Sequence, residues 1–209
     1  MSRRRLGRRA LVLVAALVVC GTSAVAAFGA FFDNTHAKNT GNSLAAGTVV
    51  ITDSHTGSTA LVGLTNAIPT LSSDTSTGCI NVSYSGSLSS NVHLFATVDN
   101  TGGLAGYLNV TVTRGTFSPS APAYPSCTNF VADSTNYIGQ GAGVLYSGTL
   151  AAMGTDYATG TVDLSAVATP ATWSNGNSHT YKVVVVLQDN LAARSKSASA
   201  TFTWEAQNT

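Results

Sequence analysis

Short segments in which apolar and polar residues alternate run through most of this chain, and they are rich in valine and threonine. In residues 92–98 and again in residues 107–113, every second side chain is apolar. A period of two is typical of a β-strand that buries one face. No long segment has apolar residues at three-and-four spacing, and the abundant Gly, Ser, Thr and Val disfavour helices. The chain is therefore predicted to be all-β.

Roughly nine or ten strands are predicted, separated by clusters of turn residues. The strongest is residues 181–187, whose unbroken apolar run predicts a central strand covered on both faces. In other strands the inward positions can be named, and these are Val92, Leu94, Ala96 and Val98; Leu108, Val110 and Val112; and Ala198, Ala200, Phe202 and Trp204. The remaining predicted strands are residues 48–52, 60–64, 79–84, 144–150 and 160–164, and residues 118–143 are predicted to form a long loop.

Strands that follow one another without intervening helices pack in layers. The predicted architecture is a two-sheet sandwich of the jelly-roll or immunoglobulin-like type, preceded by an N-terminal signal helix. Residues 31–209, about 180 residues, are enough for one such domain with a sizeable core.

The first thirty residues have the layout of a secretory signal peptide. Five arginines precede an apolar run from Ala10 to Cys20, and small residues follow. Cleavage is predicted between Ala30 and Phe31, with Ala27 as a second position, so the protein is expected to be secreted or held at the cell surface. The alternative is an uncleaved anchor, because residues 10–30 are long enough to span a bilayer, which takes about 20 apolar residues.

Removing this leader reverses the charge of the chain. It takes away five of the ten basic residues and leaves all nine acidic ones. A negative domain without a basic patch has no electrostatic basis for binding nucleic acid. The scarcity of charge also weakens repulsion between copies, which permits self-association.

Two cysteines remain after processing, Cys79 and Cys127. In an exported chain such a pair is expected to form a disulfide, since these bonds persist in oxidising compartments. The alternative is two buried thiols.

No catalytic or metal-binding constellation stands out, so no catalytic, cofactor or metal residue is predicted. The four histidines (His36, His55, His93 and His179) do not form a His-Glu-x-x-His motif; His93 is predicted to point outward and the others to lie in loops. The aspartates are scattered through predicted turns, and a Ca²⁺ site is conceivable only at Asp99-Asn100 or Asp189-Asn190.

Several segments resemble one known family. They are Ala30 to Asp33, Asn42 to Val49, Leu104 to Gly115, Lys182 to Asn190 and Phe202 to Gln207, together about a fifth of the chain. These resemble the TasA/camelysin-type proteins, whose mature start follows a signal peptide cut by a SipW-type signal peptidase. The chain departs from the family where Val49-Val50-Ile51 replaces a Leu-Asp-Leu-like sequence, and where Leu44 is smaller than the usual residue.

The resemblance implies a jelly-roll-like subunit of an extracellular fibre or biofilm matrix. It also implies that the freed N-terminal segment adds as a strand to a neighbouring copy. The assembly strand would then include Phe31, Phe32, Leu44, Val49 and Ile51. The expected partners are further copies of the chain and the signal peptidase, with membrane contact only through the uncleaved leader.

Two other functions stay open. Camelysin-type relatives have been classed as metallopeptidases, which is the first alternative. The second is a monomeric surface adhesin that binds carbohydrate, with Trp173, Tyr124, Tyr137 and Tyr157 as candidate stacking residues.

Overall fold

The computed structural model describes residues 47–55, 58–65, 67–69 and 74–209. Within this part the protein is almost entirely β-structure in antiparallel sheets, and it has no α-helix. Its eleven strands are β1 (Ile51–Asp53), β2 (Thr75–Tyr84), β3 (Ser90–Asp99), β4 (Leu108–Phe117), β5 (Phe130–Ala132), β6 (Val144–Thr149), β7 (Thr161–Val162), β8 (Leu164–Ala166), β9 (Thr169–Pro170), β10 (Ser178–Leu187) and β11 (Ser199–Asn208). Three short 3₁₀ helices lie at Ala105–Tyr107, Leu150–Ala152 and Leu191–Ala193.

The larger sheet has six strands in the order β1-β2-β10-β4-β5, and β6 also pairs with β4. The predicted central strand is confirmed, because β10 lies between β2 and β4 along almost its whole length. Its apolar run does not mean equal burial on both faces. Tyr181, Val183, Val185 and Leu187 are buried, whereas the valines between them are only half-buried.

The smaller sheet has three strands in the order β11-β3-β7. Strand β11 pairs with β3 over its full ten residues, from Ser199↔Asp99 to Asn208↔Ser90. Strand β7 is short and pairs with the other side of β3. Strands β8 and β9 form a separate small hairpin.

One hydrophobic core is built from the inward residues of the larger sheet and the smaller sheet, which together we call the two large sheets. The predicted inward residues of β3 and β4 are confirmed, and Val92, Ala96, Val110 and Val112 are each 0% exposed. Strand β11 differs from the prediction at one position. Trp204 is buried and Phe202 half-buried, but Ala200 is exposed although it alternates correctly.

Two sequence predictions about connections are wrong in detail. Residues 60–64 form no strand, because β1 ends at Asp53 and the chain then follows β2 irregularly. The predicted loop of residues 118–143 contains strand β5, which pairs with the end of β4. Gly115 of β4 leaves no room for a Cβ there, because the backbone of Val131 lies directly against it.

The predicted disulfide between Cys79 and Cys127 is present. It ties the proline-rich part of that connection to β2, and the Cys79 amide donates a hydrogen bond of 2.8 Å to the Pro125 carbonyl. A disulfide fits an oxidising environment.

The signal segment, the Ala30–Phe31 junction, and the assembly positions Phe31, Phe32 and Leu44 lie outside the described residues. The other two assembly positions are described. Ile51 is buried at the start of β1, opposite Tyr84, and Val49 is partly buried against the core. No helix in the described part is long and apolar enough to cross a membrane.

Candidate functional site

Strand β11 forms one edge of the smaller sheet. It pairs with β3 on one side, and no described strand pairs with its other side. An unpaired strand edge presents a row of N–H and C=O groups that another strand can bind. With ten residues, β11 is long for an unprotected edge.

A cavity of about 730 Å³ opens beside this edge, and we call it the edge cavity. Its walls come from both large sheets, namely from β10 and β4 on one side and from β11 on the other. Residues 60–64 and 67–69 and the loop after β10 complete it. Its apolar lining includes Val62, Leu64, Leu104, Leu108, Leu150, Val185, Leu187 and Phe202. The exposure of Ala200 follows from this arrangement, because Ala200 lines the cavity and has no apolar side chain packed on it.

The outer wall of the edge cavity is held by few bonds. Gly78 of β2 has no room for a Cβ, because the backbone of Leu61 lies against it. The Gly63 amide donates a 2.8 Å hydrogen bond to Ser76 Oγ, and the Ile68 amide donates to the Asp74 carboxylate. This wall is therefore attached to β2 by isolated contacts, without the continuous ladder of a paired strand.

The rim of the edge cavity carries two cations, Arg194 and Lys196. Both are exposed, and neither makes an ion pair with a described residue. They follow the 3₁₀ helix Leu191–Ala193, whose first turn is capped by Asn190: its Oδ1 accepts a 3.0 Å hydrogen bond from the Ala192 amide. Lys196 Nζ lies 5.7 Å from the centroid of the Tyr107 ring. The rim is thus positively charged.

At the other end of β10 the space between the sheets is filled by polar side chains, which we call the polar cluster. Its members are Arg114, Asp133, Tyr137, Asp163, Trp173 and His179. Asp163 is at its centre and is 3% exposed. Its carboxylate accepts hydrogen bonds from Arg114 Nη1 at 3.1 Å and from Trp173 Nε1 at 2.8 Å, and its Oδ2 lies 2.8 Å from His179 Nδ1.

The Arg114 guanidinium binds four partners in this cluster. Besides Asp163, its Nε donates a 2.6 Å hydrogen bond to Asp133 Oδ2, and its Nη atoms donate to the Tyr137 hydroxyl and the Leu164 carbonyl. Tyr137 in turn donates a 2.7 Å hydrogen bond to Asp133 Oδ2. A buried charge that is paired and hydrogen-bonded in this way is tolerated, whereas an unpaired one is very costly.

The cluster shifts the pKa values of its members. Burial acts to lower the pKa of Arg114, but Asp163 and Asp133 outweigh it and the pKa is raised. Burial acts to raise the pKa of Asp133, but the hydrogen bonds from Arg114 and Tyr137 outweigh it and the pKa is lowered. Burial, together with the hydrogen bond to Asp133, raises the pKa of Tyr137 to about 12. These shifts favour a structural ion network.

Three predictions about polar residues are wrong. His179 lies in β10 and not in a loop, because the strand begins at Ser178, three residues earlier than predicted. Asp133 and Asp163 are ion-pair partners of Arg114 and not simple turn residues. The one sequence signal for the cluster is Arg114 itself, which continues the inward series Leu108, Val110, Val112 as a charge.

The other histidines lie apart from one another. His93 is half-buried, stacks on Tyr157 with centroids 3.9 Å apart, and places Nδ1 2.7 Å from the Tyr157 carbonyl oxygen. His55 is exposed and meets the Tyr124 ring edge-on. His36 lies outside the described residues. Within the described part, no three His, Cys, Asp or Glu side chains come close enough to hold a metal ion.

The two loop pairs considered for Ca²⁺ are engaged in local hydrogen bonds. Asp99 Oδ1 accepts hydrogen bonds from the Thr101 amide at 3.0 Å and the Thr101 hydroxyl at 2.5 Å. Asn190 caps the 3₁₀ helix. Both arrangements are ordinary turn geometry.

The four candidate aromatic stacking residues do not form an exposed platform. Trp173 is 0% and Tyr137 3% exposed, so neither can stack against a ligand at the surface. Tyr124 and Tyr157 are half-buried and already contact His55 and His93.

The described chain begins at the end of the molecule opposite the edge cavity. The Thr48 amide donates a 2.8 Å hydrogen bond to Ser87 Oγ, and the Ser85 amide donates to the Val50 carbonyl, close to the Tyr84 end of β2. The edge cavity lies towards the other end of β2, beside Ser76 and Gly78. A ten-residue strand is about 33 Å long, so Gly47, the first described residue, lies far from the cavity.

No protein-family model matches the chain, and a search of curated proteins finds no match to it.

Proposed function

We propose that this protein is a secreted structural subunit of an extracellular fibre or surface matrix. Its subunits would join when the N-terminal segment of one copy pairs with β11 of the next and covers the edge cavity. In this proposal the two large sheets form a two-layer sandwich of the jelly-roll type, and the incoming strand completes it. The observation that carries the proposal is the unpaired edge of β11 opening onto an apolar cavity.

Strand addition would give the free edge of β11 a pairing partner and would fill the edge cavity. Backbone groups of the incoming segment would bind the unpaired edge of β11, and its alternate side chains would enter the cavity. Each apolar side chain moved from water into the cavity contributes about 1.5–3 kcal/mol. The part of the segment that precedes the described residues begins with the apolar pair Phe31 and Phe32, whereas Val49 and Ile51 are already packed in their own subunit.

The positions of donor and acceptor favour a filament. The described chain begins near the Tyr84 end of β2, and the cavity lies towards the opposite end of that strand. A contact between two different surfaces of one subunit is head-to-tail, and it propagates without closing unless the rotation happens to form a ring. Repetition of this contact would therefore produce an open chain of subunits.

Several properties support export and extracellular use. The leader has the layout of a signal peptide, and the Cys79–Cys127 disulfide fits an oxidising compartment. Signal peptidase would free Phe31, and before cleavage the leader would hold the segment at the membrane. We propose processing as the trigger of assembly.

The test is electron microscopy and size-exclusion chromatography of the processed protein, starting at Phe31, with one blocking variant and one matched control. Ala200→Glu places a charge where the incoming strand must pack, at a position already exposed in the subunit. Thr201→Glu adds the same charge at the next residue, which is also exposed but does not line the cavity.

We expect filaments from the processed wild type and from Thr201→Glu, and monomers from Ala200→Glu. Filaments from Ala200→Glu at the wild-type rate would contradict the use of the edge cavity. Filaments from a chain that lacks residues 31–46 would contradict the role of the N-terminal segment.

A further inference from the structure

Resting on the proposed function, we propose that the rim cations Arg194 and Lys196 bind the carboxylate of Asp33 from a second copy. Phe31 and Phe32 of that copy would fill the edge cavity at the same time. The three residues would set the register in which the incoming strand lies along β11.

The start of the processed chain has a distinctive composition. Phe31 and Phe32 are followed at once by Asp33, and no other acidic residue occurs before Asp53. The segment thus presents two large apolar side chains directly followed by its one acidic side chain, while its positive charges are the free α-ammonium group of Phe31 and, five residues after Asp33, Lys38.

The edge cavity has the complementary composition. Its wall is aliphatic and aromatic, as Leu108, Val185, Leu187 and Phe202 show, and can take up two phenyl rings, which bury about 150–250 Å² each. Positive charge, opposite to that of Asp33, lies at the rim of the cavity, where Arg194 and Lys196 are two residues apart.

Of the four lysine and arginine residues in the described part of the chain, one makes an ion pair. Arg114 is paired with Asp133 and Asp163, and Lys182 lies over the Phe130 ring. Lys182, Arg194 and Lys196 make no ion pair with a described residue, and the last two lie at the rim of the edge cavity. Charge complementarity of this kind fixes the register of an association and discriminates against wrong partners.

The length of the connecting segment fits a neighbouring subunit. Residues 34–46 are thirteen residues, which span at most about 45 Å when fully extended. In a head-to-tail stack, the end of one copy near Tyr84 abuts the cavity end of the next, so this reach is ample. Within its own subunit the segment would have to run the whole length of the domain, about 33 Å, before it reached the cavity.

A charge-reversal cycle on the full processed chain tests the contact. The variants are Asp33→Lys, the double substitution Arg194→Glu with Lys196→Glu, and the combination of all three. Elongation is followed by light scattering at low salt and seeded with wild-type filaments. Lys182→Glu is the control, since it reverses a cation on the outer face of the larger sheet.

We expect Asp33→Lys and the double substitution each to slow elongation about tenfold, which corresponds to about 1.4 kcal/mol. The triple variant, seeded with its own filaments, should return to within about threefold of wild type. The control should elongate normally. The differences should shrink at high salt, where exposed charges are screened. Circular dichroism melts check that every variant is folded, which is expected because the substituted rim residues are exposed.

Cross-linking tests whether the Asp33 that reaches the rim comes from a neighbouring copy or from the same chain. A chain with both Asp33→Cys and Lys196→Cys is oxidised during assembly and run on a denaturing gel. We expect a ladder of covalent multimers, and no ladder when Lys182→Cys replaces Lys196→Cys. A monomer with an internal bond would overturn the second-copy assignment.

The outcomes distinguish this inference from the proposed function. If the wild type forms no filaments, the proposed function fails. If the wild type forms filaments, but the charge variants elongate normally or the triple variant does not recover, only the Asp33 contact is overturned.

Discussion

Strand β10 runs between two regions that differ in how their side chains are covered, the polar cluster and the edge cavity. At its beginning, His179 belongs to the polar cluster, where each guanidinium nitrogen of Arg114 donates a hydrogen bond to an acceptor of the chain itself. At its end, Val185 and Leu187 line an open apolar cavity beside β11, whose second edge pairs with no described strand. At the first end the charged groups are paired within the subunit. The second end leaves apolar side chains and a strand edge without a described partner.

This difference explains why charge is distributed as it is. At the closed end, as we call the region of the polar cluster, the charged groups are paired and largely buried, so their role is to join β4, β10 and the connections that carry Asp133 and Asp163. At the open end, the region of the edge cavity, the two cations are exposed and unpaired with described residues, so they are available to a partner. Substitutions at the two ends should therefore have opposite signatures, in stability at one and in association at the other.

The largest expected effect is at the closed end. Asp163→Ala leaves Arg114 and Trp173 Nε1 without their buried acceptor, and breaking a buried ion pair costs about 3–5 kcal/mol. We expect the free energy of unfolding in urea to fall by this amount. Leu64→Ala in the wall of the edge cavity is the comparison, and a loss below about 1 kcal/mol is expected because Leu64 is only partly buried. Equal losses would erase the distinction between the two ends.

Added volume should also act differently in the two regions. Ala96→Leu inserts atoms into the filled core, where Ala96 is 0% exposed, and overpacking costs about 1–3 kcal/mol. Ala198→Leu points into the edge cavity and should leave the stability of the subunit unchanged or slightly higher. The same substitution should slow filament growth, since it takes up space meant for the incoming strand. Urea denaturation and light scattering measure the two effects.

The sequence predicted the regular parts of the fold because the information there is local. Strands β3, β4 and β10 were recognised from alternation or from an unbroken apolar run, and their buried faces follow from the period of two. Residues 60–64 have a similar composition but form no strand, since β1 ends early and their amides find side chains such as Ser76 Oγ instead. Pairing partners of this kind are not encoded within a short segment.

The polar cluster and the edge cavity could not be predicted from the sequence, and the reason is the same: both depend on contacts between distant segments. Arg114 and Asp163 are 49 residues apart, and the register Tyr181↔Arg114 brings Arg114 beside β10. The edge cavity depends on how β11, β10 and residues 60–64 and 67–69 lie in three dimensions. The donor role of the N-terminal segment stays a prediction, and no local pattern in the sequence indicates where its acceptor would lie.

A smaller effect is expected at alkaline pH. The pKa of Tyr137 is raised to about 12, against about 10 for an unfolded tyrosine, so the folded state holds this proton more tightly. The resulting stability is fully present below about pH 10 and is lost as pH rises towards about 12. Thermal melts at intervals from pH 9 to 12 should show this loss, and Tyr137→Phe should show a shallower one. An equally steep loss in the variant would assign the effect to other tyrosines.

The smallest effect is expected in acid. The pKa of Asp133 is lowered, since its hydrogen bonds from Arg114 and Tyr137 outweigh burial. Its contribution is present above the pKa of an unfolded aspartate, about 3.9, and is lost as pH falls below that value. Melts between pH 5 and 2 should show a shallower decline for Asp133→Asn than for wild type. Unchanged pH dependence would mean that Asp133 does not stabilise the closed end.

The most direct test of the central claim is amide hydrogen exchange of β11 in the processed protein, before and after assembly. Strand addition would bury the N–H groups on the free edge of β11, so their exchange should slow at least a hundredfold in filaments. Strand β10 near the polar cluster, already paired on both sides, should change little by comparison. Filaments in which β11 exchanges as fast as in the monomer would contradict the account.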